Sequence, residues 1–185
     1  MSAYAASSAA SLVSMVSRLT LKKPEYERHW PKVKEIFEES DSLQKRLLAL
    51  VDEDSQSFAS LMQAYRLPKE SVQEKRVRSE EIQTRLKGAA DVPLKTAEKA
   101  ASTLSLARNL AEFANESALS DLQTAVFLAY AGAQGAVSNV TINLPGIKDE
   151  DYKKQVRMKL DAVQKQIDKD RSDALSVMAK RSKTT

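Results

Sequence analysis

The sequence predicts an all-α protein, a bundle of five to six long helices packed mostly antiparallel. Three observations predict it. Glycine and proline are scarce, 4 and 5 residues in a chain of 185, so few positions force the backbone out of regular structure. Apolar side chains recur at steps of three and four over long stretches, the spacing of one helical face. The breaks between those stretches are short, which favours antiparallel neighbours. Residues 1–185 read as a single domain, large enough to bury a sizeable core.

The elements follow in order. A first helix runs from about Ser2 to Leu21 and stops near Pro24. Met1 to Ser17 is uncharged and rich in Ala and Ser, but it lacks the basic leading residues of a signal peptide. Its strongest apolar piece, Leu12 to Val16, is too short and too interrupted by serine to span a bilayer. It reads as a small-residue helix packed in a core. The second helix begins at Pro31, whose missing N–H suits a first turn, with Trp30 before it as a packing anchor, and runs to about Arg66, where Pro68 ends it. A third, Glu70 to about Lys87, is heavily charged, with Ile82 and Leu86 as its inner face; Gly88 and Pro93 then mark a break or kink. The fourth, Leu94 to Phe113, carries Ala97, Ala101 and Leu104 on one side. The fifth runs from about Ser120 to Val140, and the last from Asp149 to about Lys180 with Tyr152, Val156, Leu160, Val163 and Ile167 inside.

Leu122 to Ile147 contains no charged residue. The stretch has membrane length, but Gln123, Thr124, Gln134, Ser138, Asn139, Thr141 and Asn143 are too many polar groups for a lipid-facing helix, so a central bundle helix fits better. Asp121, Ala125, Leu128, Gly132, Gly135 and Asn139 share one narrow face, with Asn143 close to it. The small residues permit close helix contact within the fold or with a second copy across a two-fold axis. A homodimer or higher homo-oligomer is expected, with Gly132 and Gly135 at the contact between subunits. Asp121 and Asn139 would lie roughly 27 Å apart on a straight helix. They meet only across an antiparallel dimer. The structural alternatives are a helix cap for Ser120-Asp121 and backbone satisfaction near the helix end for Asn139 and Asn143.

Charge and composition bound the chemistry. Lys and Arg number 29 against 25 Asp and Glu, a formal net charge of +4, and the two signs interleave, so nucleic acid is not an expected partner. The basic run Lys180, Arg181 and Lys183 reads as a solvated tail. With no cysteine there is no disulfide framework and no thiolate chemistry, and a lone His29 cannot assemble a histidine metal site. Secretion is not indicated, no metal is expected, and a cytoplasmic location is the corresponding expectation.

One carboxylate stands out. Ile36, Ser40, Leu43, Leu47, Leu50, Asp54, Phe58, Leu61 and Tyr65 form one face of the second helix, which places Asp54 in an apolar seam; Asp52, about 200° around the helix, faces water. A charge there is costly unless paired, and such groups cluster where chemistry needs a tuned proton or a cation partner. The plain structural alternative is an ion pair with an Arg or Lys of another helix. Just beyond this helix, Arg66, Lys69, Arg76 and Arg78 form either a solvated surface or a docking patch for an anionic ligand.

Val51-Asp52-Glu53-Asp54 with Phe58, Tyr65-Arg66-Leu67-Pro68-Lys69, Val92-Pro93-Leu94, Ser120-Asp121-Leu122-Gln123 and Asn139-Val140-Thr141-Ile142-Asn143-Leu144 together resemble the cyclodeaminase/cyclohydrolase family. It includes the cyclodeaminase domain of formiminotransferase-cyclodeaminase and bacterial methenyltetrahydrofolate cyclohydrolases. The resemblance runs over nearly the whole chain, with the motifs in the family's order. It implies a helical, self-associating enzyme of folate one-carbon metabolism whose substrate is a tetrahydrofolate derivative. Asp54 then matches the family's catalytic aspartate, and Asp121, Asn139, Asn143, Arg66 and Lys69 are candidate substrate-binding residues. The chain departs from the pattern at its start. Met1-Ser2-Ala3-Tyr4 stands just after the place of the family's Pro-Gly-Gly-Gly-Ser stretch, a glycine loop whose free N–H groups would suit an anion or a pterin edge. With no second domain expected, hydrolysis of methenyltetrahydrofolate is slightly favoured over deamination of formiminotetrahydrofolate.

The chemistry accommodates an aspartate. The methenyl bridge is an amidinium-like cation that a carboxylate complements, and the same group can act as base. Burial would favour its neutral form until the cation binds. The rival expectation is a non-catalytic helical assembly module, with Asp54 locked to a cation and no cavity beside it. The folate reading expects an open pocket there.

Overall fold

The computed structural model describes residues 1–182, and Lys183 of the basic tail lies outside them. The chain forms α1 (Ser2–Leu21), α2 (Trp30–Tyr65), α3 (Val72–Ala111), α4 (Leu119–Asn143) and α5 (Glu150–Arg181), with 3₁₀ turns at Pro24–His29, Glu116–Ala118 and Leu144–Gly146. Among the described residues there is no strand. Local chemistry sets several boundaries. Ser71 and Glu74 form a reciprocal capping box at the start of α3, Glu74 N–H donating to Ser71 Oγ at 3.2 Å and Ser71 N–H to Glu74 Oε2 at 2.8 Å. Asp149 caps α5 by accepting the Tyr152 N–H at 2.9 Å.

Side-chain contacts give the directions of the helices. Ser7 meets Gln44 and Arg18 lies over the Phe37 ring, so α1 and α2 are antiparallel. Tyr65 meets Arg78 and Ser57 faces Gly88, so α2 and α3 are antiparallel as well. Between α3 and α5 the pairs are Asp91 with Tyr152, Ser105 with Asp170 and Ala111 with Arg181, which makes these two parallel. The bundle is therefore up-down-up-down-up. Helices α1, α3 and α5 run one way, and α2 and α4 run the other.

The third and fourth expected helices are one. α3 continues through Gly88 and Pro93 over 40 residues, so of the expected break or kink there is no break. The small-residue contact of α4 is also placed differently from expectation. A Cβ on Gly132 would lie 2.8 Å from Ser2 O and 3.0 Å from Ala6 N, and one on Gly135 would lie 2.6 Å from Ser2 Oγ. These glycines admit α1 of the same chain rather than a second subunit. Glu116–Gly146 has the length and apolar character of a membrane span, but α4 packs against α1, α3 and α5 and supplies Leu122, Ala125, Val126, Ala129 and Ala133 to the main core.

A second, smaller core holds Leu61, Leu86, Ala90, Leu94, Val140, Leu144, Ile147, Val156 and Leu160. It lies where α2, α3, α4 and α5 converge. The turn after α4 is clipped onto α3 by Gln83, which donates to Gly146 O at 2.9 Å and accepts from Lys148 N–H at 2.7 Å.

Candidate active site

Between Leu50 and Leu61 no residue of α2 is buried. The apolar seam predicted for this face is interrupted for three turns, and the interruption is one wall of a groove of about 490 Å³. Asp54, Phe58 and Tyr65 of α2 face Ala89 and Pro93 of α3 and Asn139, Ile142 and Asn143 of α4 across it. Leu61 and Leu86 of the smaller core line its floor. Phe58 and Ile142 stand 62% and 75% exposed at its rim.

Asp54 is thus exposed, not buried. The expectation of a desolvated carboxylate fails because no helix covers this part of the seam. Asp54 also makes no hydrogen bond or ion pair with another described residue, so the expected alternative of a locked structural pair is absent too. The nearest cation on its own helix is taken: Arg46 engages Glu53 through both carboxylate oxygens. That hydrogen bond, with the Arg46 charge behind it, holds the Glu53 carboxyl below the usual range.

A smaller cavity of about 70 Å³ adjoins Asp54, Asn139 and Pro93 on the other side and is lined by Ser2 and Thr96. The N-terminal turn of α1 and Asp54 therefore border the same cavity. Close approach of α1 to Gly132 and Gly135 is what puts the turn there.

The remaining expected site residues divide. Asn139 and Asn143 line the groove with Asp54. Asn143 Nδ2 donates to Ala89 O and to Asn139 O, each at 3.0 Å, so backbone satisfaction and a place in the groove coincide in one residue. Arg66 and Lys69 are exposed beyond the end of α2 and are not among the groove's lining residues. Asp121 sits in the first turn of α4, half-buried and remote from the groove; α4 begins at Leu119, so Ser120 and Asp121 are not its cap. A carboxylate in a first turn still complements the free N–H groups there. His29 stacks on Phe113 with ring centroids 5.1 Å apart. Among the described residues no group of three His, Cys, Asp or Glu is placed to hold a metal.

The sequence reading missed Pro93 as a wall of the site, and missed the carboxylate that is buried. Asp170 of α5 accepts from Ser105 Oγ and lies 3.5 Å from Arg108 Nε, with its side chain 8% exposed. The signal was present: Val156, Leu160, Val163, Ile167, Asp170, Ala174 and Met178 form one buried stripe.

The groove, its carboxylate and its asparagines lie within the part of the chain that a known family covers. The sequence model of formiminotransferase-cyclodeaminase matches residues 1–162. The chain belongs to this family. Over 143 residues it is 38% identical to a methenyltetrahydrofolate cyclohydrolase of Methylorubrum extorquens, covering 77% of this chain and 69% of that protein. It is 32% identical over 161 residues to the formimidoyltransferase-cyclodeaminase of Sus scrofa, covering 87% of this chain but spanning only 30% of that longer protein. In structure it resembles the formiminotetrahydrofolate cyclodeaminase of Thermotoga maritima, with a TM-score of 0.87, 29% identity, and 96% of this chain and 85% of that one covered. The all-α bundle is thus the fold of a cyclodeaminase.

Proposed function

We propose that this protein is a folate one-carbon enzyme that hydrolyses methenyltetrahydrofolate to formyltetrahydrofolate, or closes formiminotetrahydrofolate to methenyltetrahydrofolate with release of ammonia. The observation that carries the reading is Asp54, a carboxylate without a protein cation in an open groove with apolar walls. An assembly module would have no use for that arrangement. The 38% identity to a cyclohydrolase favours hydrolysis.

In hydrolysis, Asp54 takes a proton from the water that adds to the cationic bridge carbon. Breaking one of the two carbon–nitrogen bonds then leaves the formyl group on the other nitrogen. In deamination, a folate nitrogen attacks the formimino carbon, and a proton relayed through Asp54 lets ammonia leave. Both paths pass a cationic centre beside the carboxylate, which supplies opposite charge where it develops. A seated ligand would shield Asp54 from water between Phe58 and Ile142, strengthening that attraction. Asn139 and Asn143 supply polar contacts to the substrate. No metal enters either path.

The same reading places the protein in the cytoplasm and gives it a second copy of itself as partner. What supports a second copy is that Phe58 and Ile142 stand exposed at the groove and that Asp121 lies too far along α4 to join its own chain's groove; sedimentation at micromolar concentration tests for the dimer.

The test of function is a spectrophotometric assay of the purified protein with each folate separately. Turnover of methenyltetrahydrofolate is expected. Failure to turn over either folate refutes the reading.

A further inference from the structure

Pro93 occupies a helix-interior position where proline is expensive. It offers no N–H to the carbonyl of Ala89, four residues back, and the lost bond together with the ring's steric clash destabilises an ordinary helix. Yet α3 is continuous from Val72 to Ala111, and the Ala89 carbonyl has a partner. Asn143 Nδ2 reaches it from α4 at 3.0 Å and donates its other hydrogen to Asn139 O at 3.0 Å.

Both partners are carbonyl oxygens. That fixes the amide, because the reverse orientation would set the side-chain oxygen against two acceptors. The Asn143 Oδ1 is the atom left over, and no described donor engages it. Asn143 lines the groove together with Ala89, Pro93 and Asp54.

We propose that Pro93 is a positioning residue for the groove: its ring, pressing on the Ala89 carbonyl in place of an N–H, turns Ala89 O outward to anchor the Asn143 amide, which presents Oδ1 to the ligand as a fixed hydrogen-bond acceptor. An acceptor-only atom in a groove that also holds a carboxylate selects ligand N–H donors. This rests on the folate reading, in which the donor is the amide and amino edge of the pterin ring. Asn143 contacts the ligand; Pro93 acts through Asn143.

The test is a double-mutant cycle of Pro93→Ala, Asn143→Ala and both together, read by thermal melting and by KM and kcat for the folate that the wild type turns over. Alanine at 93 removes the ring that presses on the Ala89 carbonyl and restores an N–H, so that carbonyl swings back along the helix axis and away from the Asn143 amide. Pro93→Ala is expected to melt at or above the wild-type temperature while KM rises about tenfold, the scale of one well-placed hydrogen bond, with kcat changing less. Asn143→Ala raises KM similarly and melts lower, because it strands Ala89 O. The double variant recovers the melting temperature but not KM. A purely structural proline would not move KM in a variant that melts normally.

A wild-type KM in Pro93→Ala overturns the proposal, as do effects on KM that multiply in the double variant, or a Pro93→Ala protein that does not fold. A wild type that turns over neither folate refutes the function itself and takes the ligand half of the proposal with it. The melting half needs no ligand, and its anchor is overturned separately if Pro93→Ala fails to rescue the Asn143→Ala melt.

Discussion

Replacing Gly132 and Gly135 by alanine, one at a time, tests how α1 is held against α4 over the site. Each substitution gains the same helix propensity, about 0.5–1 kcal/mol, so their difference isolates the steric contribution. At Gly132 the new Cβ would lie 2.8 Å from Ser2 O and 3.0 Å from Ala6 N, both backbone atoms of a regular helix, and 3.1 Å from Ala6 Cβ. The turn must shift as a unit, at an overpacking cost of about 1–3 kcal/mol. At Gly135 the obstacle is Ser2 Oγ at 2.6 Å, a hydroxyl that turns away by rotating one side-chain bond. Gly132→Ala should therefore be less stable than Gly135→Ala by about 1–3 kcal/mol in urea unfolding. At about 2–4 °C per kcal/mol for a chain of this size, the melting temperatures should differ by several degrees. Because the same turn of α1 lines the cavity beside Asp54, Gly132→Ala should also raise KM. Equal stability of the two variants, or a more stable Gly132→Ala, would refute the close packing of α1 on α4.

Other outcomes follow from single groups. Asp170→Ala removes the carboxylate from a largely buried pair and leaves Arg108 and Ser105 without it, so a loss of about 1–3 kcal/mol in urea unfolding is expected, reduced by the partial exposure of Arg108. The Asp149 carboxyl is held below its usual range first by the hydrogen bond from Lys87, then by the Tyr152 N–H. Its contribution to stability is thus present above the ordinary aspartate value of about 3.9 and fades as pH falls through the lower folded value. The melting difference between wild type and Asp149→Asn should be constant at neutral pH and shrink only in that acid range.

Much of the fold was legible because helices announce themselves by period. The seams of α1 and α5 and the charge-free stretch of α4 pointed to the observed elements within a few residues. Pro93 misled because its local cost is real, while the group that compensates, Asn143, is supplied by another helix. Gly132 and Gly135 showed that something approaches closely but not what; a small-residue face is equally suited to α1 and to a second chain.

Asp54 lines the groove, but not through the burial its register suggested. Its register matched a buried seam, as that of Asp170 does on α5, and periodicity could not distinguish the covered position from the open one. What separates them is whether a neighbouring helix passes over the seam. α3 covers Asp170 through Ser105 and Arg108, whereas the groove separates the Asp54 stretch of α2 from Pro93 and Asn139.

The most direct test of the account is the activity and melting curve of Asp54→Asn beside the wild type, with methenyltetrahydrofolate as substrate. The substitution keeps the shape and removes the charge and the basic oxygen. Because no protein cation is stranded, the variant should melt with the wild type while kcat/KM falls by about a hundredfold or more. A folded Asp54→Asn protein with near-wild-type turnover would contradict the central claim.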